Sequence, residues 1–575
     1  MINLMYKWQI LEQNLNSTKL SADKEEEIIK ILLKNRGLNK KKEIEAFLYP
    51  DLGNLTLINA GISQKELRKA LERIKKAIKN NESVSVYTDY DADGICAGAI
   101  VWESLYSLGV KVLPYVPHRV NEGYGLSKKG ISNISEKQGA TLIITVDHGI
   151  TAVEKIDYAK KLGIDVIIID HHLKPGKTPK AIALIHTTRI CATGVAWFFS
   201  NYINTHLTQK KFSISELESL KHRNLDLVAL ATIADLVPLK NTNRIFVFFG
   251  LRELNQTKRI GLNELIKGSG LNKGKLGVFE IGYILAPRIN ALGRLSHALD
   301  ALRLLCTRDS DKARKIVNIL TTTNLERQKL TESSLLKAIE IVKKESLFLG
   351  QKSKRGQKLI FISHESFQEG IIGLIAGKLV EEFNLPSIVL SMGEKFSKAS
   401  ARSINGFNIV ESIRQARDLL LDVGGHPMAA GFTILTENIT KLKKRMMNIA
   451  SEKIIDDDLQ KVIKIDLEID ITDITFKLFY SIQRLAPFGI GNPEPIFLSR
   501  NVTVSNASLV GKKKQHLKFS LKATPLIKAI GFGLGEFYQK IIPNTVLDIV
   551  YTINIDSWNS NSLQLKLKDV KFPER

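Results

Sequence analysis

The sequence predicts a multidomain α/β protein: a doubly wound α/β domain, a long connecting helix, a second α/β unit and a C-terminal β-barrel. Three observations predict it. Residues 81–240 alternate short apolar strands with helices. A helical stretch over 311–344 precedes a second strand-and-helix unit over 359–452. Five or six strands then crowd into residues 460–575. At 575 residues the chain exceeds what a single core supports.

Composition sets outer limits. Hydrophobic residues at 44% and charged residues at 25% are ordinary for a globular protein and exclude a disordered chain. Lys+Arg number 83 against 59 for Asp+Glu, a net charge of +24. Such an excess favours a polyanionic partner, nucleic acid first, although a bias toward Lys, Ile and Asn gives the same total. Cys96, Cys191 and Cys306 are odd in number, far apart and set among apolar residues. They read as buried thiols of a reducing compartment rather than disulfides or a zinc cluster. Residues 1–16 lack the plan of a signal peptide, and no apolar run approaches the roughly 20 residues of a spanning helix. A cytoplasmic protein with no membrane contact is expected.

In chain order, residues 1–80 read as helical, with amphipathic stretches over 25–33 and 64–79, packed on the domain that follows. Strands are predicted over 83–88, 111–116, 141–146 and 165–169, with helices over 95–108 and 152–162 between them. The last two strands are β-branched runs with little alternation, as in parallel strands buried on both faces. In the second unit, strands over 358–363 and 387–391 flank a helix over 371–383. Ser400-Ala-Arg402 offers a hydroxyl and a guanidinium together, and Gly424-Gly-His426 puts a histidine on a flexible glycine turn. In the barrel, Lys512, Lys513, Lys514, His516 and Lys518 give one hairpin a basic rim. Phe488, Phe497, Phe519, Phe532 and Trp558 are candidates for base stacking.

The strand ends carry the chemistry. The first strand runs into Asp89, Asp91 and Asp93, the third into Asp147-His148-Gly149, the fourth into Asp170-His171-His172. Asp235 follows a wholly apolar helical stretch and precedes Pro238. Each alone has a bland reading, a solvated turn or a capping acid. Their convergence on one sheet edge favours a metal site, because crowded carboxylates repel one another unless a cation lies among them. Oxygen ligands suit Mg²⁺ or Mn²⁺, and two such ions roughly 3.5–4 Å apart serve phosphoester hydrolysis. Asp147 is the natural bridge. Asp91 holds one ion; Asp93, His171 and Asp235 hold the other. His172 reaches the scissile phosphate. Arg288 and Arg294 flank a glycine-containing turn, and Arg294 is a clamp for that phosphate. No G-x-x-x-x-G-K-[ST] loop is present, so ATP use is not indicated.

Asp170-His171-His172, with Asp89-Tyr-Asp-Ala-Asp-Gly94, Asp147-His-Gly149 and Ala234-Asp235, resembles the four-motif set of the DHH phosphoesterases. Four further stretches narrow the resemblance: Pro117-His-Arg-Val-Asn-Glu-Gly-Tyr-Gly-Leu126, Pro287-Arg-Ile-Asn-Ala-Leu-Gly-Arg294, Gly424-Gly-His426 and Leu485-Ala-Pro-Phe-Gly-Ile-Gly-Asn-Pro-Glu-Pro495. With these the chain is similar to the bacterial 5′→3′ exodeoxyribonucleases of that family that act on single strands. The resemblance implies a DHH domain over 81–310, a connecting helix over 311–350, a DHHA1 domain over 351–455 and an OB-fold over 460–575 that holds single-stranded DNA. It implies that Gly424-Gly-His426 faces the metal centre across a cleft, with His426 steadying the phosphate. It further implies that Arg119, Ser400 and Arg402 recognise the 5′-terminal phosphate, and that Asp89 and Asp170 orient the metal ligands. Two Mn²⁺ or Mg²⁺ ions are the expected cofactors, and a helicase and a single-strand-binding protein the expected partners of a monomer acting in recombination and repair. Two alternatives stand beside this. A phosphodiesterase acting on short oligonucleotides or cyclic dinucleotides needs neither the barrel nor the net charge. A non-catalytic binder needs no intact ligand set.

Three departures from the family stand out. His148 replaces the usual Cys or Asn and is expected to be a spectator. The segment between Leu184 and Gly194 is shortened and lacks an Asn-Pro pair. Ala399 and Ala401 stand where relatives have glycines, and since alanine resists positive φ, backbone contact with a terminal phosphate is expected to change there.

Overall fold

The computed structural model describes residues 6–12, 24–123, 125–208, 213–349, 357–523, 526–556 and 561–573. Ile10–Thr322 and Ile465–Arg575 form one unit, Met1–Gln9 and Thr323–Lys464 another. The first described strand, β1 (Lys7–Ile10), pairs late in the chain with Val462–Ile465.

In the first unit β2 (Ser83–Thr88), β3 (Lys111–Tyr115), β4 (Ala140–Val146), β5 (Asp165–Asp170) and β6 (Ala183–His186) make a fully parallel sheet in the order β3-β2-β4-β5-β6. The apolar runs of β4 and β5 follow from burial on both faces. Ile144, Val146, Ile167 and Ile169 enter the larger core, and the alternate Ile143, Val166 and Ile168 enter a second one. The winding reverses between β2 and β4, and ligands of such sheets sit outside the strand ends at that point. The helix after β2 spans Ala92–Ser107, starting earlier than predicted because Asp91 caps it: its Oδ1 accepts the N–H groups of Asp93 and Gly94, each at 3.0 Å.

A helix over Ser310–Leu349 leads out of the first unit. In the second, β7 (Ile360–His364), β8 (Ser387–Ser391), β9 (Phe396–Arg402), β10 (Leu420–His426) and β11 (Ala429–Leu435) form a mixed sheet ordered β10-β11-β9-β8-β7. Only β7 and β8 run parallel. β12 (Val462–Ile465) takes β1 as its partner.

The C-terminal strands return to the first unit. After the short β13 (Leu467–Glu468), strands β14 (Phe497–Val510), β15 (His516–Leu521), β16 (Ile527–Gly531), β17 (Val546–Ile555) and β18 (Leu563–Lys571) run β14-β15-β16-β18-β17. β17 pairs back onto β14 and closes a five-stranded barrel. Phe497 and Phe519, expected to stack on bases, lie in its core at 0% and 1% exposure. Phe532 is exposed and meets His516 edge-on. Trp558 and most of the 350–358 linker lie outside the described residues.

The N-terminal helices do not all pack as predicted. Ile28, Ile29, Leu32 and Leu33 of the Lys24–Asn35 helix, with Phe47, complete the barrel core. The Gln64–Lys79 helix lays its apolar face, Leu67, Ala70, Leu71 and Ile74, against the core of the parallel sheet. An amphipathic stripe states that a face must be covered, not by what. Arg244 ties the pieces together. Its buried guanidinium lies 3.7 Å over the Phe47 ring and donates to the carbonyls of Phe47, Leu485 and Ala486 at 2.7, 2.9 and 2.8 Å. Among the described residues no helix is long and apolar enough to cross a membrane.

Candidate metal centre

Parallel pairing brings the predicted residues to one edge. The ladder continues one step past the strands: Asp89 N–H donates to Val146 O at 3.2 Å and Asp147 N–H to Ile169 O at 2.9 Å. This fixes both acids to the sheet. Asp147 has a φ of +66°, a left-handed conformation that Asp adopts more readily than bulkier residues. Asp91 and Asp93 ride on the start of the Ala92–Ser107 helix, and Asp235 terminates the Leu225–Ala234 helix.

His171 Nε2 lies 3.2 Å from Asp147 Oδ1 and 3.7 Å from both Asp93 Oδ2 and Asp235 Oδ2. Among the described residues three clusters have ligand atoms within 4.8 Å of one another: Asp89, Asp91 and Asp147; Asp93, His171 and Asp235; and Asp147, His171 and His172. Asp147 is shared between the two ends of the site. Asp89, predicted to orient its neighbours, stands beside Asp91 and Asp147 as a potential ligand in its own right. The Oδ1 atoms of Asp89 and Asp147 are buried and accept no hydrogen bond. A divalent cation satisfies such orphaned acceptors.

Charge in the site is uneven. Burial raises the pKa values of Asp89, Asp91 and Asp147 above the usual carboxylate range, and their acidic neighbours add to it. Burial, with Asp93 and Asp91 beside it, pushes Asp235 up to about 8. Burial lowers His171. Burial also works against the charged form of His172, but its Nδ1 lies 2.8 Å from Asp170 Oδ1, and that carboxylate lifts it to about 9. Despite burial, Asp170 stays below the ordinary range through His172 and the N–H of Ile150. His148 is pushed down to about 4 by burial and stands edge-on to Tyr87.

Several contacts here had no advance signal. Asp93 is gripped by the start of the Ala192–Leu207 helix: Ala192 N–H reaches Oδ2 at 2.8 Å, and the Thr193 N–H and hydroxyl reach Oδ1 at 2.8 and 2.6 Å. Asn290 Oδ1 accepts the Ala92 N–H at 2.7 Å. The Asn290 side chain comes from a helix, Ala286–Leu295, that contains Arg288 and Arg294, so the predicted glycine turn is helical. A Cβ at Gly293 would come 2.5 Å from the Tyr90 carbonyl oxygen, so glycine serves close packing there. Arg119 stacks over the Tyr90 ring at 5.2 Å, and Arg119 and Arg294 both bring positive charge to it. Arg288 instead turns back to Ile284 O.

His426, Ser400 and Arg402 belong to the second unit. Gly424-Gly-His426 is the end of strand β10, not a flexible turn: Gly425 pairs with Ala430, and a Cβ there would lie 2.3 Å from Ala429 O. Ser400 and Arg402 share one face of β9, with Arg402 Nη1 donating to Ser400 Oγ at 3.2 Å. The intervening Ala401, and Ala399 before it, point into the core at 0% and 6% exposure, on extended backbone. No positive φ is required of them, so their departure from glycine leaves the backbone unstrained. Lys513 and Lys514 sit exposed on the β14–β15 turn.

Family models match in chain order: the DHH family, N-terminal domain, over residues 83–232, the DHHA1 domain over 356–452 and the RecJ OB domain over 465–569. The single-stranded-DNA-specific exonuclease RecJ of Bacillus subtilis is 35% identical over 572 residues, 99% of this chain and 70% of that protein. That of Thermus thermophilus is 30% identical over 548 residues, 94% and 74% of the two chains. The crystal structure of RecJ in complex with Mn²⁺ from Thermus thermophilus matches with a TM-score of 0.80 at 26% identity, covering 100% of this chain and 81% of that one. On these grounds the chain belongs to the RecJ family of DHH phosphoesterases.

Proposed function

We propose that this chain is a metal-dependent exonuclease that releases 5′-mononucleotides from the 5′ end of single-stranded DNA, in recombination and repair. The observation that carries the reading is the sharing of Asp147 between acid and histidine clusters at one sheet edge, in a chain related to exonucleases with that specificity. Asp147 would hold both of two divalent ions, Mn²⁺ or Mg²⁺. Asp91, joined by Asp89, would complete one side; Asp93, His171 and Asp235 would complete the other. Such ions, when bound, lower the pKa of a water and offset charge on the phosphate.

The remaining work falls to the chain. Asp170 Oδ1, 2.8 Å from Nδ1, holds the His172 ring, leaving Nε2 to steady an oxygen of the scissile phosphate. Arg294 serves the same phosphate from beside Tyr90. Ser400 and Arg402, neighbours on one face of β9, take the 5′-terminal phosphate. Lys513 and Lys514 hold the strand backbone by charge. The same reading makes the protein a cytoplasmic monomer that works with a helicase and a single-strand-binding protein.

The test is 5′-labelled single-stranded DNA incubated with Mn²⁺, beside an Asp147→Ala variant. Absence of labelled mononucleotide from the wild type overturns the enzymatic reading; equal release by the variant overturns the site. Removing the barrel is a poor test of the short-substrate alternative, since it would uncover Ile28, Ile29, Leu32 and Leu33. Neutralising Lys513 and Lys514 is cleaner. Long strands should lose affinity and about 1.4 units of salt slope, with dinucleotide cleavage unchanged; indifference of long strands would favour the small-substrate enzyme.

A further inference from the structure

We propose that His186 is a positioning residue for the histidine pair, a role that rests on the exonuclease reading and deepens it. Strand β5 leaves the sheet at Asp170, whose register partner is His186, so His171 and His172 lie beyond the last step of the ladder. The N–H side of this excursion is held by Asp170: Oδ1 accepts from His171 N–H at 2.7 Å and His172 N–H at 3.1 Å, and Oδ2 accepts from Ile150 N–H at 2.9 Å. On the carbonyl side, His186 Nε2 lies 2.7 Å from the His172 carbonyl oxygen. A carbonyl only accepts, so Nε2 carries the proton and donates it. The donor stands on a fixed support, because the next residue, Thr187, anchors its hydroxyl to Ala60 O at 2.8 Å.

This clamp acts where small displacements matter. His171 Nε2 has three carboxylate oxygens between 3.2 and 3.7 Å away, on three different elements. A slip of about half an ångström in the loop would change all three separations and lose the geometry a metal site needs. The ring of His172 is already fixed through Nδ1 by Asp170. With its backbone pinned by His186 as well, the direction of Nε2 is set. His186 itself touches neither ion nor substrate in this account; it acts through the loop.

The experiment compares full-length wild type, His186→Ala and His186→Gln, the last retaining an N–H donor. Three quantities are measured: Mn²⁺ affinity by calorimetry, which needs no turnover; kcat and KM on single-stranded DNA; and melting of the metal-free protein. His186→Ala is expected to weaken Mn²⁺ binding roughly tenfold and to lower kcat about as much, with KM and melting unchanged. His186→Gln should recover most of both losses. Wild-type Mn²⁺ affinity in His186→Ala overturns the proposal. So does a lowered melting temperature with unchanged metal affinity, or a Gln variant no better than Ala. If the wild type binds Mn²⁺ but releases no nucleotide, the exonuclease reading falls while the Mn²⁺ comparison still decides the role of His186.

Discussion

Stripping the metal and raising the pH from about 6.5 to about 8 isolates the electrostatic cost of the acid cluster. Asp235 keeps its proton up to about 8 in the folded protein against 3.8 for the free side chain. Asp89, Asp91 and Asp147 are displaced the same way. The folded state therefore binds more protons than the unfolded chain, and stability must fall as pH rises. His172 acts in the same sense. Its folded value of about 9 lies above 6.5, so the stability from its Asp170 pair is complete below 6.5 and is lost toward 9. His148 and His171 are displaced downward and oppose the trend, but only below 6.5, where the unfolded imidazole gains a proton. Asp170 contributes stability that is lost only under acid conditions, outside this window.

Each retained proton is worth about 1.4 kcal/mol per pH unit. For Asp235 and His172 alone, two protons over about 1.5 pH units are worth at most about 4 kcal/mol. Asp235 titrates within the window, and the Asp235 and His172 side chains are 29% and 32% exposed, so a loss of about 2 kcal/mol is expected. The assay is urea denaturation in chelator, following the first unit through its buried Trp197. Excess Mn²⁺ should reverse the sign, because the ion must displace those protons and its stabilisation grows with pH. Metal-free stability that is flat or rising across the window, or an Mn²⁺ gain that does not change with pH, would refute the reasoning.

Three substitutions probe the supports. Thr193→Val removes the 2.6 Å hydroxyl bond to Asp93 at little change in volume and should weaken Mn²⁺ binding roughly tenfold by calorimetry. Gly293→Ala forces a methyl against the Tyr90 carbonyl; a loss of about 1–3 kcal/mol in urea melts should come with weaker Mn²⁺ binding, because the same helix supplies Asn290 to the Ala92 N–H. Arg244→Ala strips three buried carbonyls of their donors and should cost about 3 kcal/mol or more in urea denaturation of the first unit.

What the sequence made legible was what parallel strands enforce. Once residues 141–146 and 165–169 are strands buried on both faces, Asp147 and Asp170-His171-His172 must emerge at the same edge as Asp89, whatever the loops do. Thr193 and His186 carry no comparable signal. Their partners, Asp93 and the His172 carbonyl, are reached across the sheet edge, and nothing local distinguishes this threonine from any other near the start of an apolar helix. The Lys24–Asn35 helix failed for the same reason: its stripe was visible, its partner was not.

The glycine readings went astray from a single cause. In the sequence Pro287–Arg294 and Gly424-Gly-His426 look like turns because glycine is most often placed by its tolerance of positive φ. Gly293 is instead helical and admits the Tyr90 carbonyl. Gly425 does have a φ of +142°, yet within a paired strand where a side chain would strike the neighbouring backbone. Close approach leaves no local pattern, since the approaching atoms come from elsewhere in the chain. Ala399 and Ala401 are the converse: they sit without strain because their strand is extended and their methyl groups point into the core. At a site assembled from strand ends, then, a glycine motif is better read first as the place where another segment touches, and the segment it admits is the one to search for the missing supports.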